Sequence, residues 1–452
     1  MPRELHHRPS CSRTQRLKAE DSPRELSRGE IVLVCAASAY ILLIYFKPVL
    51  RFLSGETIIY GSANVLAIGL GLSMALKLDG RSAFGRRGAR LVFLGFALVA
   101  VSLAALNGAS AWSDFYDASY SLLATWLAYV MFGAIGRRSR ALTVVLVVFA
   151  VSAFVNSAIG VWGAATGNTI FGVSADDVGT GAFGFDEQTG RSGGVAGENY
   201  VGMFNVPALV IGMEWVLGRG WRRLAGVTSV AVSAAAIGVS LSRTSVLTGA
   251  VALSAGVFLR LKRGQVFGLL GSLSVIAVAA LVVAQFGTIG LGRVGGYAQE
   301  SIAARWSIGG VTGDIRYSIW DYYAQQWMAS PVFGLGPGFI RQSVAEGQFV
   351  PHNSLLDILV EFGACGLAVY LAPLLASVSR AVGRKSEIGN GVVERVLVAT
   401  AAGMLISLLT LSNAAARPFW AFVGAASGRM MCVRDARGRR VAPSNARSPV
   451  EG

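Results

Sequence analysis

From Glu30 to Met431 the chain is a succession of apolar runs, each roughly 16–24 residues long, separated by polar breaks. A run of that length, wound at about 1.5 Å per residue, reaches across ~30 Å of hydrocarbon. Twelve spans are therefore expected, at roughly 30–46, 59–76, 91–106, 118–136, 141–163, 199–217, 224–241, 244–260, 265–287, 354–377, 393–412 and 417–431. The first is expected to stay in the protein. It lacks a small-x-small cleavage site, and Lys47-Pro48 closes it. Most breaks are short, and two are long: residues 164–198 and 288–353. Inside the second, Arg316 to Met328 places Ile319, Tyr322, Tyr323 and Gln326 at a spacing of three to four, which predicts an aromatic-faced helix lying along a membrane surface. Pro331 ends it. Gly334, Gly336, Pro337 and Gly338 predict a turn, and Pro351-His352-Asn353 leads into the apolar run that starts at Ser354.

Composition agrees with this pattern. More than half of the 452 residues are apolar, 14% are charged and the mean hydropathy is +0.55. A soluble chain would carry about a quarter charged. The fold class is thus an all-α polytopic membrane protein. Residues 1–29 read as a disordered basic tail, 30–431 as the transmembrane domain and 432–452 as a second basic tail. Basic residues favour the cytoplasmic side. With twelve spans and both termini in the cytoplasm, 31 of the 40 Lys and Arg fall on that side. The net charge of +15 then faces anionic lipid and calls for no nucleic-acid partner. Cys11, Cys35, Cys365 and Cys432 form no C-x-x-C and none lies in an external loop, so neither a disulfide nor a thiolate metal site is expected.

On this topology the chemistry-bearing groups collect on the external face. They are Arg243, in the tight turn between two spans; Arg316, at the start of the aromatic helix; His352, the only imidazole outside the N-terminal tail; and Arg191, in the first long loop. Glu198 and Asn205 would border an external cavity beside Arg191. Asp357 and Glu361 are four apart, on one helix face with Asn353. Glu361 would lie about 12 Å along the helix, a depth at which a carboxylate needs a polar cavity or a partner. The Gly290-x-Gly292-x-x-Gly295 string mimics a dinucleotide fingerprint, but no strand–helix unit surrounds it. No nucleotide pool exists outside, so a group transfer there needs a donor already carried across the bilayer, such as a polyprenyl diphosphate-linked glycan. Arginines suit the departing diphosphate, because a planar, non-titrating fork binds phosphate oxygens bidentately. A histidine suits the acceptor hydroxyl as general base. No external cluster has metal-ligand spacing, and no cofactor is expected.

Three motifs then carry a resemblance. Arg316-x-x-x-Trp320, the Ser330–Phe339 string S-P-x-F-G-x-G-P-G-F, and the Pro351–Gly366 string P-H-N-S-x-L-D-x-L-x-E-F-G-x-x-G resemble the core of the O-antigen ligase and O-antigen polymerase family. Supporting pieces are Ser240–Thr244, Gly197–Tyr200 and Arg417-Pro418-Phe419-Trp420. The resemblance implies a GT-C-like membrane enzyme with a large external loop between spans 9 and 10. Such an enzyme moves an undecaprenyl diphosphate-linked glycan to a glycan or lipid A-core acceptor, at the outer face of the cytoplasmic membrane and without a metal. It implies Arg243, Arg316 and His352 as catalytic residues. Around the substrate we expect Arg191, Glu198, Trp320, Asn353, Asp357 and Glu361, the last three orienting His352 or receiving acceptor hydroxyls. The modest external loop favours a polymerase over a ligase. The alternative class is a multi-span polysaccharide or small-solute transporter or flippase, which predicts paired charges at mid-membrane and two-half symmetry.

Overall fold

The computed structural model describes residues 25–46, 57–83, 112–167, 184–186, 191–194, 200–240, 242–260, 316–382, 391–411 and 416–441. In chain order these form α1 (Arg28–Tyr45), α2 (Thr57–Ala83), α3 (Trp112–Gly136), α4 (Ser139–Thr166), β1 (Gly184–Asp186), β2 (Arg191–Gly194), α5 (Val201–Val216), α6 (Trp221–Val239), α7 (Arg243–Arg260), α8 (Arg316–Met328), α9 (Phe339–Ala345), α10 (Ser354–Val382), α11 (Val392–Thr410) and α12 (Arg417–Val441). Ten of the twelve expected spans coincide with helices. The other two, 91–106 and 265–287, lie outside the described residues, as do Gly290–Gly295 and Cys11.

Among the described residues, five helices are long and apolar enough to cross a membrane: α1, α4, α6, Ser354–Ser379 within α10, and α11. Shorter apolar helices are Val65–Leu78, Leu122–Gly136 and Val201–Val216. The helices α7 and α12, also expected as spans, fall in neither group. α12 is rich in Gly and Arg, and nearly every residue from Ala416 to Met430 is enclosed by protein. Its surface matches neighbouring helices rather than lipid. Gly424 lies on the Tyr129 backbone and Gly428 on the Gly133 backbone, a small-xxx-small contact that lets α3 and α12 touch main chain to main chain.

Several boundaries differ from the hydropathy reading. Ser27 and Glu30 form a capping box that starts α1, so the helix begins inside the expected tail. Residues 112–117, expected as loop, are the first turns of α3. The C-terminal helix runs ten residues past Met431, into the segment expected as a second basic tail. The 164–198 segment is not wholly irregular: β1 and β2 pair antiparallel, with Asp186 opposite Arg191, and pack on α4.

The helix ends sort into two faces. At one end, Arg138 pairs with Glu30 at 3.7 Å and Arg137 reaches Met431 Sδ at 3.7 Å. Arg429 meets Glu394 at 2.7 Å. Arg395 forks onto Glu214 at 3.1 and 3.0 Å, and Arg260 takes the same carboxylate at 2.7 Å. Gly29 lies against Leu78 at that end too. At the other end Tyr45 donates to Phe204 O (2.7 Å), Arg417 lies 5.8 Å above the Tyr120 ring, and Ser354 Oγ donates to Leu411 O (2.6 Å). The core between them is aromatic: Tyr45, Phe132, Phe149 and Phe422 stack in edge and tilted contacts 4.6–6.2 Å apart.

Candidate functional site

The Ser330-Pro331 break and its glycine turn are locked into α10. Gly334, Gly336 and Gly338 adopt φ of 78°, 102° and 90°, as the turn requires. α10 is itself broken where a continuous helix was expected, at Gly363, with φ 64° and ψ −168°. The break frees main-chain groups, and the turn supplies their partners. Leu335 N donates to Val360 O (2.8 Å) and Gly336 N to Glu361 O (3.1 Å). In return Ala364 N donates to Pro331 O (2.9 Å) and Cys365 N to Val332 O (3.1 Å). A Cβ on Gly334 would collide with the Glu361–Phe362 backbone, and one on Gly363 with Val332. Tyr370, seven residues past the break, accepts from Trp420 near the start of α12 (3.3 Å). The break therefore sits toward the Arg417 end of the bundle.

Glu361 has a main-chain task. Its Oε1 accepts from Gly338 N (3.0 Å) and Ile340 N (3.4 Å), at the start of α9. Asn353 likewise caps α10: its Oδ1 accepts from Leu355 N (3.0 Å) and Leu356 N (3.2 Å). Trp320, on the buried edge of α8, donates its indole N–H to Pro351 O at 2.7 Å. Ile319 and Tyr323 pack with Val360 beneath it. His352 is half-buried and is the only non-glycine residue with positive φ (51°) among those described. Asp357 is 8% exposed and lies close enough to Tyr323 to act on its hydroxyl. Burial, reinforced by the nearby Asp357 and Glu361 carboxylates, pushes the Tyr323 phenol up to about 12. Ser343 approaches that hydroxyl, but no donor and acceptor are aligned, and it stays a buried group without a hydrogen bond.

Arg243 is the first residue of α7. The serines of its turn build the geometry: Ser240 Oγ donates to Ile237 O (2.7 Å), and Ser242 Oγ accepts from Ser245 N (3.3 Å) as the helix cap. Gly202 N donates to Ser245 Oγ (2.9 Å), tying in α5. One turn further on, Thr248 and Ser407 share a hydrogen bond of 2.9 Å, and Leu411 at the end of α11 accepts from Ser354. The elements carrying Arg243, Arg316 and His352 thus meet at one end of the bundle, joined through α11 and through the Trp320–Pro351 bond. Arg191 lies on β2, which packs against α4 and α6. Glu198 lies outside the described residues. Asn205 does not border an external cavity: it is fully buried and accepts from Asn156 Nδ2 at 2.8 Å. The helix break, the Glu361 cap and the indole bond were missed from sequence. Phe362-Gly363 in mid-run was the available signal.

Chemically the arrangement is asymmetric. Both Arg243 and Arg316 open their helices, where the helix dipole is positive and a further cation is unfavourable unless an anion binds there. His352 stands two residues before a third helix, whose first turn carries the buried Asp357. Two arginines and one imidazole at one end suit an anionic leaving group and a hydroxyl to be deprotonated. No curated protein matches the chain. Residues 228–371, which include Arg243, Arg316, Trp320 and His352, match the family model described as O-antigen ligase. Over that segment, about a third of its length, the chain is similar to the O-antigen ligase family.

Proposed function

We propose that this protein is a metal-independent membrane glycosyltransferase that moves a polyprenyl (undecaprenyl) diphosphate-linked glycan onto an acceptor sugar hydroxyl, at the outer face of the cytoplasmic membrane. The observation that carries the reading is the convergence, within the family-matched segment, of α7, α8 and the start of α10 at one end of the bundle. The opposite end, with its arginine–carboxylate chain from Glu30 to Arg260, would face the cytoplasm. Residues 83 and 112, and residues 260 and 316, lie at opposite ends by these contacts.

In the reaction His352 takes the proton from the acceptor hydroxyl as its oxygen attacks the anomeric carbon. The carbon–oxygen bond to the diphosphate breaks, and Arg243 and Arg316 hold the charge that develops on the leaving group. One displacement inverts the anomeric centre. Fixed guanidinium charge does here what a divalent cation does elsewhere. Arg191 and Glu198 would border the glycan, and Asp357 the His352 side of the site. The modest external loop, residues 288–353, favours a polymerase in O-antigen or exopolysaccharide synthesis over a ligase with lipid A-core as acceptor. A transporter reading gains no support: the Glu214 network lies at a helix end, not mid-membrane. The test is release of polyprenyl diphosphate in vesicles with EDTA present. Wild type should release it and Arg243→Ala or Arg316→Ala should lose at least a hundredfold in rate; a requirement for added Mg2+ would refute the mechanism.

A further inference from the structure

We infer that Trp320 is a positioning residue for His352, holding the imidazole in a left-handed backbone conformation at a fixed span from Arg316; the inference rests on the catalytic role proposed for both. His352 adopts a φ of 51°. That region is costly for a residue with a Cβ, and it persists only where neighbouring structure over-determines it. Residues on both sides supply the determination. Pro351 has a fixed φ and no N–H, so its carbonyl is its one hydrogen-bonding group. The Trp320 indole takes that carbonyl at 2.7 Å, short for an N–H···O bond. On the other side Asn353 caps α10 through Leu355 N and Leu356 N. The Pro351–His352 peptide cannot rotate without breaking one set or the other.

The indole is held in turn. Tyr317 meets it edge-on, with ring centroids 5.9 Å apart, and Ile319 and Tyr323 anchor α8 against Val360. Arg316 lies one turn before Trp320 on the same helix. One bond therefore sets both the conformation of the base and its separation from a cation on the leaving group. Displacing a catalytic group by about 1 Å costs on the order of a hundredfold in rate. A residue that only stabilised the fold would not single out that step.

The experiment uses full-length protein in nanodiscs. His6→Ala and His7→Ala remove the two tail histidines, so His352 is the one imidazole left and 13Cε1-histidine labelling gives one NMR signal. Trp320→Phe keeps a ring and removes the N–H. It is expected to shift or split the His352 signal and to lower kcat at least tenfold with KM for the donor within twofold. Tyr317→Phe should leave the signal in place. Trp320→His, which restores a ring N–H donor, should recover more than a third of kcat; read by kcat alone, since it adds a second imidazole, it also serves if the Phe variant does not fold. An unmoved signal in Trp320→Phe, an unchanged kcat, or a Trp320→His variant no better than Phe overturns the inference. If wild-type protein transfers no glycan while the signal still moves in Trp320→Phe, the functional reading fails and the positioning of His352 by Trp320 stands.

Discussion

Glu361 separates a scaffolding role from a substrate-binding one. Its carboxylate accepts two main-chain N–H groups, from Gly338 at 3.0 Å and Ile340 at 3.4 Å. A hydrogen bond to a charged group contributes about 1.5–3 kcal/mol net, and the longer contact adds little. Glu361→Ala should therefore loosen the start of α9 by about 2–3 kcal/mol, which is roughly a 30- to 150-fold faster amide exchange over residues 338–342. Glu361→Gln keeps an acceptor oxygen and loses the charge, so about half of that cost is expected. Hydrogen–deuterium exchange by mass spectrometry in nanodiscs reads both, with α11 as the internal control. Glycan transfer should fall with the loosening in the Ala variant and largely survive in the Gln variant. Unchanged exchange in Glu361→Ala would refute the capping argument. Lost activity in Glu361→Gln, with exchange unaltered, would instead put the carboxylate on the substrate.

Other consequences follow from the same region. Gly334→Ala or Gly363→Ala adds both a left-handed strain and a backbone collision, and either should lower the detergent melting temperature and expose the 331–350 segment to protease, whereas Ala at Gly347, which shares the left-handed φ but has open space, should cost only the strain. His352→Asn should abolish transfer while melting at or above the wild-type temperature, because Asn tolerates φ near 51° better than His. Tyr323→Phe removes a buried hydroxyl without a hydrogen bond and should raise stability by about 1 kcal/mol, measured by thermal melting. Its pH dependence has a definite sign. The Tyr323 phenol is raised from 10.0 to about 12, so its share of stability is complete below pH 10 and is lost as pH climbs toward 12. The Phe variant should lack that part of the alkaline decline.

The sequence made the membrane helices legible wherever lipid dictates composition. α1, α4, α6 and α11 are apolar because their outer surfaces have no other solvent. It was weaker where protein is the solvent: α12 is enclosed by its neighbours, so its glycines record contact with α3 rather than hydropathy. Periodicity placed α8 from Arg316 to Met328, since one aromatic face is buried and the other is not. The break at Gly363 was easily passed over, because an apolar run is continuous whether or not its main chain is; Gly363 in mid-run was the one local signal, and the turn at 331–336 that partners it lies nearly thirty residues earlier. Of the site, Arg243, Arg316 and His352 stood out as ionisable groups in an apolar chain. Trp320 was visible as a motif residue, but its hydrogen bond to a main-chain carbonyl leaves no sequence signature. The same holds for Glu361, whose partners are backbone N–H groups that any residue carries.

The most direct test of the account is reconstitution in lipid vesicles with a polyprenyl diphosphate-linked repeat unit as the sole substrate, following glycan length and free polyprenyl diphosphate for wild type and His352→Ala. The account predicts lengthening of the lipid-linked glycan with release of one diphosphate per transfer, and neither in the variant. Transfer only after lipid A-core is added would make the protein a ligase. A His352→Ala variant as active as wild type would contradict the mechanism.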